Sequence, residues 1–557
     1  MSSVSVRESD TAITHSEIRF VLIVSLAVLI FTSLPYVFGY VTSPPDKQFM
    51  GLLLNVPDHC QYFAWLEEFR SAYLISSTLT PEPNPPVFFN MLWWALAQMG
   101  NLSGLGYAAL YQIFRWIAGI SFLVVVYWFC ALVFDNRPRR RLAFLLTILT
   151  SGLGWVLIVL KYTLTDGELL YPLDVYIAEG NTFLCILGYP HFVFASAFIL
   201  VVFGLVLIGQ RRAQLRYAIA AGIVAQVLGW QHGYDLIIIY GVLGGYGVAL
   251  ILRDRVWPRY LVKAGLIIGG LSVWPALYNV YLTTANPLWE EVLAQFVNAG
   301  VYTPNPLHLA VLFGLPLIVA TLTWAHKLRV RAWDSPMLFV QVWFVVGLLL
   351  NYIPTDFQIH MLNSWQVPMV ILVVEGLYDL VVPALARWEL VGKRVQRLVL
   401  TVFVLAILPT NIYLWTWRFV DLNRHDYPYY LYRDEVAAMR WLAQHTSADA
   451  VVLSSLDAGQ YLPALSGRRA FLAHWTQTVG FFDKQERVAR FFDARVDDSE
   501  RLATLRTFGV DYVFYGPAER ALGEYNLPES PLFSVAFSSP QVTVFRVNGA
   551  LDSHASR

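Results

Sequence analysis

Apolar residues in this chain come in long runs, not at the spacings of amphipathic helices or half-buried strands. A bilayer-crossing helix takes about 20 mostly apolar residues. Eleven stretches read as such spans: 18–42, 105–134, 142–161, 191–210, 217–231, 235–252, 262–283, 307–325, 337–353, 362–386 and 398–416. The fifth is short. The run PPVFFNMLWWALAQM, at 86–100, is apolar but shorter than a span, and it predicts an interfacial or re-entrant helix. After residue 416 the pattern changes. DEVAAMRWLAQH is amphipathic and opens on acids. Val451–Ser454, Arg469–His474 and Val510–Tyr515 read as strands, with helices at 484–494 and 498–508 and a closing hairpin at 532–547. The expected fold is mostly α: a polytopic helical membrane bundle of about eleven transmembrane helices, followed by a C-terminal extracytoplasmic α/β domain.

Composition agrees. The chain is 57% hydrophobic and only 14% charged, with a mean hydropathy of +0.52; a soluble chain carries about 25% charge. Of the 78 charged residues, 32 fall in the last 141, about 23% of them against about 11% of the first 416. This places a domain boundary near 417. A net charge of +0 argues against a nucleic-acid partner.

Basic residues orient the spans. One set of connections holds 18 Lys and Arg, the alternate set only Lys47, Arg70 and Lys161. The reading is a protein of the cytoplasmic (inner) membrane. Its tail 1–17 is inside, its bundle spans 18–416 with a large first outer loop at 43–104, and 417–557 lies outside. No small-residue cleavage site follows the first span, so it reads as a retained anchor. The three Cys show no metal spacing. Each reads as a buried thiol, although Cys60 and Cys185 both fall in outer loops and could pair.

Candidate chemistry gathers in the outer connections. The first loop is long, and long loops are often functional. It holds Asp58 in NVPDHCQYFAW and Glu82 in TPEPNPP. A second, at 162–190, holds Asp166, Glu168, Asp174 and Glu179, with His191 at the mouth of the next span. A carboxylate there can take a proton from an acceptor hydroxyl. Ionisable groups within spans are costly and point to function or to a partner. Arg115 lies about ten residues into the second span, where its planar fork suits a lipid phosphate or a structural carboxylate. Glu375 sits mid-span with no obvious partner. His232 and Asp235 share a tight outer turn, and Gln358, His360, Asn363 and Gln366 crowd the outer start of the tenth span. The pairs Gly244-Gly245 and Gly269-Gly270 suit close helix packing better than a cofactor loop. The domain at 417–557 has no phosphate loop or nucleophile elbow and reads as a lid or acceptor-binding module.

The run NVPDHCQYFAWLEEF, a carboxylate shortly after the first span leading into an amphipathic helix, resembles the GT-C superfamily of integral membrane glycosyltransferases. So do EGNTFLCILGYPHF (179–192), IPTDFQIHMLNSWQVP (353–368) and GQYLPALSGRRAFLAHWTQT (459–478), and together the resemblance covers most of the chain. It implies inverting transfer of a sugar from a polyprenyl-phosphate-linked donor to a glycan, lipid or protein acceptor on the outer side. Asp58 occupies the family's catalytic position. Arg115 or His360 would meet the phosphate, the family's basic residues there being replaced by Ile359-His360. Glu179 and His191 would line the acceptor side; Glu82 and His232 stand beside them as substrate-binding candidates from their loop and turn positions alone. A divalent metal stays open, since some relatives bind one through such carboxylates and others do not. Two other readings remain: a non-catalytic subunit of a membrane complex, and a lipid or sugar transporter.

Overall fold

A computed structural model describes residues 13–165, 177–299, 302–331, 333–386 and 392–548. Each of the eleven apolar stretches contains helix among its described residues. Among them, eight helices are long and apolar enough to cross a membrane, and a ninth forms if the pair Arg397–Ile407 and Pro409–Leu422, bent by 43°, counts as one span. Arg216–Gln231 and Ser335–Leu350 have 16 residues each. At 1.5 Å per residue they reach about 24 Å, short of a core of about 30 Å. The fold is that of a mostly α, multi-pass membrane protein.

The chain forms two compact units. The first takes Met1–Leu34, Ile113–Tyr278 and Val301–Arg418. Its centre is the helix Gln366–Gly376, every residue of which is buried. Trp365, just ahead of it, donates its indole N–H to the Phe344 carbonyl at 2.8 Å. One apolar run is not a continuous helix. Arg137–Leu149 and Gly154–Leu164 are separated by the irregular stretch 150–153. Its backbone groups bond outside their own helix, as an interrupted ladder requires. Leu153 N–H donates to Val311 O at 2.9 Å and Ser151 N–H to Ile407 O at 3.1 Å. The facing helix Pro306–Arg329 is kinked at Gly314. Gly152 sits where the two breaks meet, and a Cβ there would lie 1.7 Å from the Leu312 carbonyl oxygen.

Glu375 does have partners. It pairs with Arg139 at 2.5 Å and Lys327 at 2.5 Å, and Asp379 joins through Arg139 at 2.7 Å. Both cations lie in basic stretches that read, in sequence, only as orientation signals.

The second unit takes Pro35–Gln112, Asn279–Gly300 and Phe419–Arg557. Strand β1 (Lys47–Phe49) pairs antiparallel with β2 (Tyr430–Tyr432). A five-stranded sheet follows from β3 (Val451–Leu453), β4 (Arg469–Ala470), β5 (Val510–Tyr515), β6 (Phe533–Ser538) and β7 (Thr543–Val547), in the order β4-β3-β5-β7-β6. β3 runs parallel to β4 and β5, and the β6–β7 hairpin adds antiparallel. Phe471, Phe491, Phe492, Leu505 and Val513 fill the core beside the sheet. The apolar stretch 86–100 contains the helix Met91–Ser103, which packs on Val56–Phe69.

Candidate functional site

Asp58 lies in the first turn of Val56–Phe69. Asn55 precedes the helix in the left-handed conformation, at φ 37°, which Asn tolerates better than most residues. Pro57 is preset for the first turn, and the helix N-terminus favours a negative side chain. Each carboxylate oxygen receives one hydrogen bond. Asn55 Nδ2 donates to Oδ2 at 2.5 Å, and His474 Nε2 donates to Oδ1 at 2.9 Å. The direction of the second bond follows from the other side of the ring. His474 Nδ1 accepts the backbone N–H of Thr476 at 3.1 Å, so the ring proton sits on Nε2. His474 is buried and Asp58 is 31% exposed. Burial raises the carboxyl's pKa, but the His474 hydrogen bond and the electrostatic pull of His474 and His59, with the Asn55 hydrogen bond, hold it below the usual carboxylate range. Asp58 is therefore an ionised, oriented acceptor with one open side.

Sequence reasoning did not single out His474. The signal available was its position, four residues past the parallel strand β4, because loops at the carboxyl ends of parallel strands commonly carry sites.

Glu82 has a different setting. Its carboxylate receives the Thr80 hydroxyl and pairs with Lys484, which is 2% exposed. The Thr80 hydroxyl also accepts the Val479 N–H at 3.1 Å, and Thr78 O accepts the Ala470 N–H at 2.9 Å. The first loop is thereby stitched to the segment that carries His474, and Glu82 is one of the stitches.

The other unit holds a second polar cluster. Glu179, in the short 3-10 turn Ala178–Gly180, accepts a hydrogen bond from or pairs with His360 Nδ1. Tyr234 stacks on the His360 ring at 4.7 Å between centroids. Its hydroxyl meets His232 Nε2 at 2.7 Å, and His232 Nδ1 meets Asp235 at 2.7 Å. Asn363 donates to Asp235 at 3.0 Å and accepts from Ser196 at 2.6 Å. His191 lies 5.9 Å from the His232 ring. Glu179, His191, His232 and His360 thus meet, joined by Tyr234 and Asp235. A small void with room for about one water borders Glu179, Ser196, Asn363 and Gln366. Gln366 anchors the group. It accepts the Thr182 N–H at 2.9 Å and donates to Thr150 O at 2.8 Å, on the broken stretch.

Arg115 is 1% exposed. It donates to the hydroxyls of Thr32 at 3.0 Å and Ser33 at 2.5 Å, and to Ile186 O at 3.4 Å. Asp166, Glu168 and Asp174 lie outside the described residues. Cys60, Cys130 and Cys185 are all free and buried. Among the described residues no group of three or more His, Cys, Asp or Glu is placed to hold a metal ion. Of the two glycine pairs, Gly245 faces Val346 closely, whereas Gly244, Gly269 and Gly270 face open space.

Comparison with known proteins bears on the fold. The model of a family of unknown function, DUF6541, matches residues 360–549. No curated protein matches the chain. The oligosaccharyltransferase of Archaeoglobus fulgidus, tethered to an acceptor peptide containing the NVT sequon, is 14% identical; the match covers 94% of this chain and 74% of that one, with a TM-score of 0.56. The same organism's AglB, in complex with an inhibitory peptide and a dolichol-phosphate, is 14% identical over 96% of this chain and 75% of its own, with a TM-score of 0.55. ArnT from Cupriavidus metallidurans, bound to undecaprenyl phosphate, is 16% identical over 97% of this chain and 99% of its own, with a TM-score of 0.51. At these identities the likeness is one of fold.

Proposed function

We propose that this chain is a membrane glycosyltransferase that moves a sugar from a polyprenyl-phosphate donor to an acceptor hydroxyl on the outer face of the inner membrane. The N-terminus lies inside and residues 417–557 outside. The observation that carries this reading is Asp58: a carboxylate just past the first span, held ionised by a hydrogen bond to each oxygen with one side open. The polyprenyl phosphates bound by the two structural neighbours support the donor class.

In the step proposed, Asp58 takes the acceptor's hydroxyl proton as that oxygen attacks the anomeric carbon. The bond from that carbon to the phosphate oxygen breaks with inversion, and the polyprenyl phosphate leaves with the electron pair. Within the other unit, Glu179 orients His360, which is 18% exposed. Arg115, engaged with hydroxyls and a carbonyl, is assigned a structural place. Glu82, paired with Lys484, is likewise assigned to architecture.

Asp58→Asn tests the reading. Purified protein in nanodiscs would be given a radiolabelled polyprenyl-phosphate hexose with membrane-extracted acceptors. Transfer is expected to fall by about 10²-fold or more, the range of a lost general base, with the unfolding midpoint unchanged. Full transfer by the variant would remove Asp58 from the mechanism. No release of polyprenyl phosphate by the parent protein would favour the non-catalytic subunit.

A further inference from the structure

We infer that His474, supplied by the α/β part of the chain 416 residues from Asp58, is the positioning residue of that carboxylate, and that the segment 474–481 is built to seat it. The proposal rests on Asp58 as the reacting base.

The seat is made by three stretches of one compact unit. His474 is 3% exposed. Its backbone N–H and that of Ala473 both donate to the Thr478 hydroxyl at 3.0 Å, and that hydroxyl donates to Leu79 O. Thr476 presents its N–H to Nδ1, so the ring can offer a proton only from Nε2. From the third stretch, Gln295 Nε2 donates to Thr476 O at 3.2 Å and Thr478 O at 3.0 Å, while its Oε1 accepts the Phe481 N–H. Asn298 donates to Trp475 O at 3.0 Å. The backbone of the turn is thus held by groups from two other stretches of the unit. A residue whose only task was to fill space would not need its tautomer set.

The groups facing Asp58 are few. His474 and Asn55 touch it. His59, next on its helix, adds charge, and its own ring bonds Asn55 O at 2.8 Å and the Tyr111 hydroxyl at 2.9 Å. Of these, His474 reaches Asp58 from a segment distant in the chain. It therefore ties the carboxylate's geometry to the state of the α/β part.

The test reads Asp58 directly and needs no substrate. Dicyclohexylcarbodiimide adds to protonated carboxyls, so the pH dependence of Asp58 labelling, followed by mass spectrometry on full-length protein in nanodiscs, reports its ionisation. In His474→Ala the labelling midpoint should move up by about one pH unit, the scale of one charge-assisted hydrogen bond. His474→Gln, whose amide keeps a donor at the end of a side chain of similar reach, should stay closer to the parent. Gln295→Ala should move the midpoint the same way by less, and it keeps the test open if His474→Ala does not fold. In a transfer assay His474→Ala should lower kcat more than it raises KM. An unmoved midpoint in folded His474→Ala overturns the proposal, and so does an equal shift in His474→Gln. Failure of Asp58→Asn to slow transfer would strike the catalytic reading alone, because labelling is read independently.

Discussion

Gly152→Ala tests whether the break at 150–153 organises the first unit. A Cβ at Gly152 would lie 1.7 Å from Leu312 O, 2.4 Å from Leu312 C and 2.7 Å from Val311 O. All three are backbone atoms, so no side chain can swing aside. Cβ contacts essentially never fall below 3.0 Å, and the two segments must therefore part by at least 1.3 Å. That would stretch the Leu153 to Val311 bond from 2.9 Å to about 4 Å, past any useful geometry. The Thr410 bond to Gly152 O, 3.1 Å long, sits on the same backbone. Overpacking of this kind costs about 1–3 kcal/mol, and each lost bond about 1, so the expected destabilisation is about 3 kcal/mol. The assay is detergent-induced unfolding of the purified chain, followed by tryptophan fluorescence. Gly270→Ala is the control: it lies within the helix Arg259–Ala285 with open space at its Cβ, and should be neutral or gain up to about 1 kcal/mol in helix propensity. The variant should also disturb Glu179, because Thr150 O holds Gln366 and Gln366 holds Thr182. A Gly152→Ala protein within about 0.5 kcal/mol of the parent, or a Gly270→Ala protein equally damaged, would refute the close-approach argument.

Three further outcomes are expected. Glu82→Gln leaves the buried Lys484 without its carboxylate, and because Glu82 is 32% exposed the cost should be about 2 kcal/mol, below the usual range for a fully buried pair; adding Lys484→Met should recover much of it in the same unfolding assay. Glu375→Gln strips Arg139 and Lys327 of their nearest carboxylate and should cost about 3 kcal/mol, whereas Asp379→Asn, 38% exposed, should cost under about 1. Glu435 is 5% exposed and accepts the Tyr432 N–H at 2.8 Å. Burial first, then the charges of Glu519 and Asp457, push its carboxyl up to about 7. A raised carboxyl favours the folded state at acid pH, so this contribution should be full below about 4.5 and fade as pH rises through 7; thermal unfolding of Glu435→Gln should lack that fall.

The bilayer helices could be read from composition, because apolar runs of this length have few other solutions in water. The α/β elements after 430 were legible for a similar reason, since helix and strand periodicities are local. Asp58 stood out by its place after the first span, and its role as base is the proposal made above. Interruptions were not legible: TILTSGLGW reads as one apolar run, and its break appears only where it meets the kink at Gly314. Partners were not either. Glu375 looked alone because Arg139 and Lys327 come from other helices. The first loop read as a separate segment, yet it folds in one unit with residues 279–300 and the C-terminal part. His474 gave no local sign that it bonds a carboxylate 416 residues away. Burial of apolar surface is a property of each segment's own composition, and sequence alone determines it. A buried polar group must be satisfied by whichever atoms close packing brings within about 3 Å. That choice belongs to the tertiary structure, which decided every pairing at both polar clusters.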